Sequence, residues 1–422
     1  MRLLHPLRGF TADLPRPFWV LWAGTLVNRL GTFVLPFLTL FLTSRRGLPP
    51  ATATLVVGLY GAGAFAATFA GGYLADRLGR RRTILLSLLA GAGALLLLLP
   101  VERLVLLGAA VVAVGFTGEL YRPAVAAAVA DMVPPVGRPR AYSLLHWAAN
   151  LGMAAGPVLG GLIAARSYLA LFVADAATMA AFAGLVAWRV PETRPAEVDA
   201  EVAGRRGAGG LAAAVRDPRL LALTLLSLPV GMLFWQAFTV LPLSMAGEGL
   251  GETAFGFALS LNGALIALFS LPVAAAIGRL PRIPLMAAAG ALVALGMGLH
   301  GPAASLPAYA AAVAVWTLGE MAWIPVAPSL VADLAPPRLR GSYQGFYSAA
   351  WGLAAFAGPT LGGTVFQRWG DTVLWSGAAA LGLAAAAALL ALRRLFRPGA
   401  AGMMAAPPGG DEAARPTTRR IG

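Results

Sequence analysis

The sequence reads DMVPPVGRPRAYSLLHWAANLGMAAGPVLGG at residues 131–161 and DLAPPRLRGSYQGFYSAAWGLAAFAGPTLGG at residues 333–363. Both stretches begin with Asp, continue to a Pro pair and end with the pattern Gly-Pro-x-x-Gly-Gly, and each of these positions recurs at the same offset of 202 residues. Self-similarity at a fixed offset indicates two copies of one structural unit. The chain is therefore predicted to consist of two halves with the same fold and orientation.

The apolar content of the chain is too high for a soluble core. Of its 422 residues, 59% are hydrophobic and 12% are charged, which is more apolar surface than a globular protein of this length can bury. An apolar helix of about 20 residues crosses a bilayer core of about 30 Å. The sequence predicts an all-α membrane protein with twelve transmembrane helices in two pseudo-symmetric six-helix bundles. The predicted spans lie at 18–42, 52–76, 82–100, 104–130, 142–165, 168–188, 219–245, 253–277, 283–300, 306–332, 342–366 and 372–392.

Arginine is distributed unevenly between the two sides of this predicted bundle. If the N-terminus is cytoplasmic, 25 of the 32 basic residues lie on the cytoplasmic side and five on the other, a bias that sets orientation. We expect a multi-pass protein of the cell (inner) membrane with both termini cytoplasmic and no cleavable signal peptide. The predicted domains are a cytoplasmic N-terminal segment at 1–17, an N-terminal bundle at 18–188, a cytoplasmic linker at 189–218, a C-terminal bundle at 219–392 and a disordered cytoplasmic tail at 393–422.

Composition also excludes several classes of function. The net charge of +14 would favour a nucleic-acid partner in a soluble protein, but in a membrane protein we assign it to orientation and expect no nucleic acid. The chain has no Cys and only three His, so we expect no metal site and no enzymatic activity. It also has no P-loop pattern, so we expect no cofactor and an ion gradient as the source of energy.

The loop after the second span reads GGYLADRLGRRR at residues 71–82. Gly72 permits close helix approach, and Gly79 favours a tight turn between two spans. The stretch resembles the loop signature of the major facilitator superfamily, a family of transporters. The residues that carry the resemblance are Gly72, Asp76, Arg77, Gly79 and Arg80.

This resemblance implies roles for two charged residues of the loop. Asp76 is expected to meet the N-terminal dipole of span eleven and so hold the two halves together in one state. Arg80 is expected to pair with an acid at the inner end of span four, which is Asp131 here. The alternative is that the basic residues of the loop serve only to orient the protein.

Span five carries GMAAGPVLGG at residues 152–161, which resembles the signature of the antiporter branch of the superfamily. Gly152, Gly156 and Gly160 recur every four residues and form one bare helix face against which another helix can pack. Pro157 is expected to kink the helix, and Gly161 completes the pattern. Close packing alone does not establish export, so the direction of transport is an implication of the resemblance.

Polar side chains inside the spans are the candidates for function. A charge in the middle of a bilayer costs at least roughly 2.5–3.5 kcal/mol, so such residues face protein or water and are functional by default. Most of them fall on spans one, four, seven and ten, which line the central cavity in the family. The candidates for proton coupling and for the cavity are Asn28, Arg29, Glu119, Arg122, Asp175, Gln236 and Glu320; those for a substrate pocket are Tyr121, Trp235, Trp316 and Trp323.

Alternatives stay open for several of these residues. Glu119 and Arg122 are three residues apart and share a helix face, so Glu119 could exchange a proton for a cationic or neutral substrate. The alternative is a purely structural ion pair that joins spans one and four. Glu320 has no Arg in its own span, which favours binding of a proton or a cation. Asp175 could reach the cavity or cap a neighbouring helix.

The resemblance implies a secondary active transporter that works by alternating access. We expect a proton-coupled antiporter that exports small hydrophobic or amphipathic compounds; the alternative is a proton-coupled symporter that takes up a small nutrient. The expected partners are membrane lipid, protons and a small-molecule substrate, and the expected state is a monomer.

Overall fold

A computed structural model of the protein describes residues 14–194, 207–278, 280–336 and 339–396. Most of the predicted N-terminal segment, the middle of the predicted linker and most of the predicted tail lie outside these residues, as does Arg279. The described residues contain helices and no strand. The long helices are α1 (Arg16–Arg45), α2 (Pro50–Leu78), α3 (Arg80–Leu97), α4 (Leu104–Met132), α5 (Arg138–Ala164), α6 (Tyr168–Arg189), α7 (Pro218–Thr239), α8 (Glu252–Ile277), α9 (Arg282–Gly298), α10 (Leu306–Leu334), and α11 and α12, the two parts of Arg340–Ala391 that meet at Gly370.

Each of the twelve predicted spans falls on one of these helices. Within the described ranges, nine stretches are long and apolar enough to cross a bilayer. The stretch Arg340–Phe396 counts once among the nine, although Gly370 (φ 83°) divides it into two helices. The remaining two predicted spans correspond to α3, which begins with three Arg, and to α9, which has 17 residues.

Proline explains where the spans of the two halves break. In α1 the helix is interrupted between Leu30 and Val34, because Pro36 cannot donate a hydrogen bond to the carbonyl four residues earlier. In α4 it is interrupted at Leu120, because Pro123 has the same effect on the carbonyl of Glu119. These breaks place polar side chains of α1 and α4 beside irregular backbone in the middle of the bundle.

Two seams join the halves, α2 with α11 and α5 with α8. In the first, Gly61 contacts Ala355 and Gly352 contacts Phe65. In the second, the backbone N–H of Val158 donates a hydrogen bond of 3.0 Å to the Ser260 hydroxyl oxygen. Close contacts of this kind require small residues on the facing surfaces. The two seams are related by pseudo-symmetry, because α2 and α8 are equivalent helices of the repeat, as are α5 and α11.

The two seams lie towards one end of the molecule. We call this the arginine-poor end, since it carries the α1–α2, α5–α6, α7–α8 and α11–α12 connections; the opposite, arginine-rich end carries the α2–α3, α4–α5, α8–α9 and α10–α11 connections. Two further hydrogen bonds join the halves at the arginine-poor end, from the Tyr168 hydroxyl to Glu252 (2.9 Å) and from the Ala51 N–H to Gln367 (2.8 Å).

Towards the arginine-rich end, α2 and α11 diverge. The face of α2 that contacts α11 at Gly61 and Phe65 continues to Phe69 and Tyr73 at four-residue intervals. These two side chains are 60% and 57% exposed. The described part of the molecule is therefore closed at the arginine-poor end and separated along this seam at the arginine-rich end.

Candidate functional site

A cavity of about 410 Å³ lies between the two halves. All six helices of the first half, α1 to α6, contribute to its wall, together with α7 and α11 of the second half. A volume of this size suits a small organic molecule. Of the predicted cavity residues, those that the structure brings together around it are Asn28, Arg29, Glu119, Tyr121, Arg122, Asp175 and Trp235.

Glu119 is held by two donors from different helices. The Arg122 guanidinium lies 2.7 Å from one carboxylate oxygen, and the Tyr60 hydroxyl on α2 lies 3.0 Å from the other. The Glu119 side chain is 16% exposed and that of Arg122 is 59% exposed. The ion pair between Glu119 and Arg122 therefore exists, but both residues lie on α4, so it does not join α1 to α4. The helix that Glu119 connects to α4 is α2, through the Tyr60 hydroxyl.

The break in α1 is stabilised by a carboxylate from α6. One oxygen of Asp175 accepts hydrogen bonds from the backbone N–H groups of Phe33 (3.0 Å) and Val34 (2.9 Å). These groups begin the second segment of α1, where the first N–H groups of a helix lack the usual partner four residues earlier; the Phe33 N–H also lies 2.7 Å from the Gly31 carbonyl. Of the two predicted roles for Asp175, the structure shows the helix cap, while the residue also lines the cavity.

Glu320 in the second half has a different environment from Glu119. It accepts a hydrogen bond of 2.6 Å from the Asn262 amide on α8, and the same amide lies 3.1 Å from the Thr317 hydroxyl. Asn262 is the repeat equivalent of Tyr60, at the offset of 202 residues. Each half thus holds one carboxylate by a neutral donor from an equivalent helix, but only Glu119 also pairs with an arginine among the described residues.

Four of the residues predicted for the cavity or the substrate pocket do not line this cavity: Glu320, Gln236, Trp316 and Trp323. The Gln236 amide donates to the Gly358 carbonyl at 2.7 Å and so joins α7 to α11. Trp316 and Trp323 are each 2% exposed and pack on α9, where Gly290 lies against the Trp323 ring and Gly296 against the backbone and Cβ of Trp316. Assigning these two Trp to the pocket wall was wrong, because an apolar ring on a helix that borders the cavity can equally face the next helix of its own half.

At the arginine-rich end, Arg80 joins three elements. Its guanidinium pairs with Asp131 (2.9 Å) and Asp76 (3.2 Å), as expected for Asp131. The loop after α6 adds a further contact, because the Glu192 carboxylate accepts the Arg80 backbone N–H at 2.7 Å. In the second half, Arg282 and Asp333 form an ion pair at the equivalent positions of the repeat.

The two glycines of this loop differ in their surroundings. Gly79 has a φ of 100°, and a side chain there would overlap the Glu192 carboxylate, so the predicted tight turn is confirmed. Gly72 has no atom within 4 Å of the place where a Cβ would stand. The predicted close approach at Gly72 is absent in this conformation, because α2 has diverged from α11. Arg77 contributes its backbone carbonyl, which accepts a hydrogen bond of 2.8 Å from Arg194.

The glycine stripe of α5 packs against two helices. A side chain at Gly152, Gly156 or Gly160 would contact α1, at residues 29–30 for the first two and at Phe33 and Phe37 for the third. Gly161 and the Pro157 carbonyl instead contact α8. The small residues therefore bring α5 close both to the break in α1 and to the other half.

Comparison with known proteins places this architecture in a family. The family model for the Major Facilitator Superfamily matches residues 21–320 and 235–418. The chain belongs to the major facilitator superfamily. Since its relatives in the superfamily are transporters, the chain is a multi-pass membrane transporter of this fold.

Three relatives illustrate the range of the superfamily near this chain. YhjO of Bacillus subtilis (strain 168), an uncharacterized MFS-type transporter, is 27% identical over 381 residues, which is 88% of this chain and 92% of that protein. The Na(+), Li(+), K(+)/H(+) antiporter of Planococcus maritimus is 26% identical and covers 77% and 84%. The multidrug resistance protein MdtH of Klebsiella pneumoniae (strain 342) is 27% identical and covers 80% and 83%.

Solved structures of the superfamily share the fold at lower sequence identity. A POT family transporter in complex with 5-aminolevulinic acid has a TM-score of 0.74 and 18% identity, covering 91% of this chain and 97% of that one. The POT family transporter PepTSo has a TM-score of 0.75 and 16% identity, covering 91% and 99%.

Sequence reasoning missed four side chains that lie in the cavity wall or contact Glu320. Tyr60, Phe238 and Trp351 line the cavity, and Asn262 bonds to Glu320. Tyr60 and Asn262 could have been found by applying the repeat offset to polar residues as well as to glycines and prolines. Phe238 and Trp351 carried no such signal, because aromatic residues are common throughout apolar spans.

Proposed function

We propose that the protein is a proton-coupled antiporter that exports small hydrophobic or amphipathic compounds by alternating access. The arginine-rich end is proposed to face the cytoplasm, as the positive-inside rule requires, which places both termini on the cytoplasmic side of the cell membrane. A cavity bordered by helices that diverge towards that end would receive its substrate from the cytoplasm. The glycine stripe of α5 and the likeness to MdtH support export.

The observation that carries the proposal is the difference between the two buried carboxylates. A proton can bind Glu119 only by displacing the Arg122 cation at 2.7 Å. Glu320 accepts only from neutral Asn262 among the described residues, so its protonation releases no cation. An ionised carboxylate without a cationic partner is costly at mid-bilayer depth. We therefore assign the coupled proton to Glu320 and treat Glu119 as part of the cavity wall.

An aromatic contact chain links Glu320 to the cavity. Trp351, which lines the cavity, stacks on Phe234 with ring centroids 5.7 Å apart. Phe234 packs edge-on against Trp316 at 6.1 Å, and Trp316 lies one helical turn from Glu320. A substrate that contacts Trp351 and a proton that binds Glu320 would therefore both change the packing of α7, α10 and α11. Two ligands that act on the same packing can shift one conformational equilibrium from separate sites.

The test is Glu320→Gln in proteoliposomes with an acidic lumen. Compounds that raise the melting temperature of the purified protein serve as transport substrates. The variant should lose proton-driven accumulation at least tenfold while retaining substrate exchange at zero pH gradient, because exchange needs no net proton movement. Glu248→Gln, at an exposed position of the α7–α8 connection, is the matched control. Unchanged proton-driven accumulation in Glu320→Gln would remove this residue from the mechanism.

The alternative is proton-coupled uptake of a small nutrient, which fits the likeness in fold to POT family transporters. The two functions differ in the sign of coupling. An antiporter accumulates substrate in the compartment that protons leave, whereas a symporter accumulates it in the compartment that protons enter. Measuring substrate in inverted membrane vesicles with an acidic lumen separates them, because only the antiporter fills such vesicles.

A further inference from the structure

Among the described charged side chains around the cavity, Arg29 makes no direct ion pair, although its charge interacts with the Glu119 carboxylate at longer range. Four ionisable Arg, Asp or Glu residues line the cavity: Arg29, Glu119, Arg122 and Asp175. Glu119 and Arg122 pair with each other, and Asp175 accepts two backbone N–H groups. Among the described residues, no carboxylate lies within ion-pair distance of Arg29 and no acceptor takes its hydrogen bonds.

The backbone that carries Arg29 is held firmly. Arg29 lies in the last turn of the segment Arg16–Leu30, immediately before the break in α1. The bare faces of Gly152 and Gly156 on α5 pack directly on its Cβ and carbonyl. A cation near a helix C-terminus is favourable, which accounts for an arginine at this position. The five N–H donors of its guanidinium have no acceptor within hydrogen-bond distance in the part of the chain that the structure describes.

The remainder of the cavity wall is largely apolar and includes several aromatic rings. Tyr60 and Trp235 face each other across the two halves with ring centroids 6.3 Å apart, and Phe238 lies 6.0 Å from Trp235. Trp351 adds a further ring from α11. Such a wall suits a flat apolar or aromatic body, and the guanidinium supplies the polar group that orients it.

We propose that the cavity binds amphipathic organic anions, with a carboxylate or sulfonate on Arg29 and an apolar body against the aromatic rings. This inference rests on the proposed function only in taking the cavity as the transport site. It replaces the expectation of a cationic or neutral substrate at Glu119, since a cation there would have to displace Arg122. A planar carboxylate matches the paired donors of a guanidinium.

The charge of an anionic substrate determines how transport depends on the membrane potential. Export of one monoanion in exchange for one proton moves two elementary charges across the membrane in the same electrical sense. A membrane potential that is negative inside therefore drives both movements. Transport of an anion at a 1:1 ratio should depend on the membrane potential even when the pH gradient is zero.

The test compares three probes of equal shape on the purified full-length protein: 2-naphthoate, 2-naphthamide and 2-naphthylmethylammonium. Binding is measured at pH 8 by the shift in melting temperature over a concentration series. We expect 2-naphthoate to bind at least tenfold more tightly than the other two. Arg29→Gln should abolish this preference, and Arg29→Lys should retain part of it, because Lys keeps the charge without the paired donors. Arg368→Gln, an exposed cation at the arginine-poor end, is the control.

Three results would overturn the inference: no shift with 2-naphthoate up to millimolar concentration, an equal shift with the amide or the ammonium probe, or an unchanged preference in Arg29→Gln. If the unliganded Arg29→Gln variant melts far below the parent, the Arg29→Lys titration decides the result. Binding that depends on Arg29 without any proton-driven transport would refute the proposed antiport and leave the anion site standing.

Discussion

At the scale of single residues, two differences distinguish the carboxylate sites of the two halves: an arginine, and a shift of the carboxylate by one position, since the repeat equivalent of Glu119 is Met321. Tyr60 and Asn262 occupy equivalent positions of the repeat and donate to Glu119 and Glu320 respectively. Arg122 corresponds to Ile324 in the second half. Ile in place of Arg removes the positive charge from the second half. Glu119 in the first half is therefore ion-paired, whereas Glu320 in the second half has no cationic partner among the described residues and can accept a proton.

Gly79 gives the sharpest stability prediction at this scale. Gly79→Ala should destabilise the protein by about 1–3 kcal/mol, because the residue has a φ of 100° and its Cβ would overlap Glu192. The apparent melting temperature of the purified protein measures this loss. Gly72→Ala is the matched control in the same loop, and it should melt no lower than the parent, since helical Ala is favoured over Gly and space is open there. Equal melting of both variants would argue against the strained turn.

The residue scale also shows what the sequence can and cannot predict. Every predicted span lies on a helix, because apolar length and proline positions act locally. Arg80 and Asp131 pair as the family resemblance implied. Trp316 was misplaced, and Tyr60 and Asn262 were missed, because the direction in which a side chain points depends on how helices rotate against each other, which periodicity in a uniformly apolar span does not reveal.

At the scale of helices, the closed end depends on small residues in the α5–α8 and α2–α11 seams. Gly256 contacts the Pro157 carbonyl, and Gly263 contacts the backbone of Met153 and Ala154. Transmembrane helices associate through such close packing rather than through hydrophobicity. These seams lie at the arginine-poor end, so they must loosen whenever the cavity opens on that side.

Adding one methyl group to the α5–α8 seam should shift the equilibrium between the states that are closed and open at the arginine-poor end. Gly256→Ala forces α8 away from Pro157 and should favour opening of the arginine-poor end. A single cysteine introduced at Met153, which lines the cavity, should then react with a membrane-impermeant maleimide from that side faster than in the parent, at least severalfold; the natural chain has no Cys to interfere. Gly247→Ala, which meets no atom within 4 Å, serves as the control. Identical rates in all three backgrounds would contradict the role of this seam.

At the scale of the whole molecule, the two halves are equal in fold and unequal in charge. Both carry an ion pair at the arginine-rich end, Arg80 with Asp131 and Arg282 with Asp333. In the first half the pair is largely buried and is reinforced by Glu192, whereas in the second half both side chains are substantially exposed. The charged residues that line the cavity also belong to the first half, whereas the buried carboxylate of the second half, Glu320, lies outside the cavity wall.

Alternating access coupled to Glu320 is the central claim, and paired distance measurements test it most directly. Spin labels at Arg82→Cys and Gly341→Cys report on the arginine-rich end, and labels at Glu102→Cys and Gly247→Cys report on the arginine-poor end. Between pH 8 and pH 5, one distance should lengthen as the other shortens, and Glu320→Gln should abolish the response to pH in both pairs. Distances that change in the same sense at both ends, or a pH response that survives in Glu320→Gln, would contradict the account.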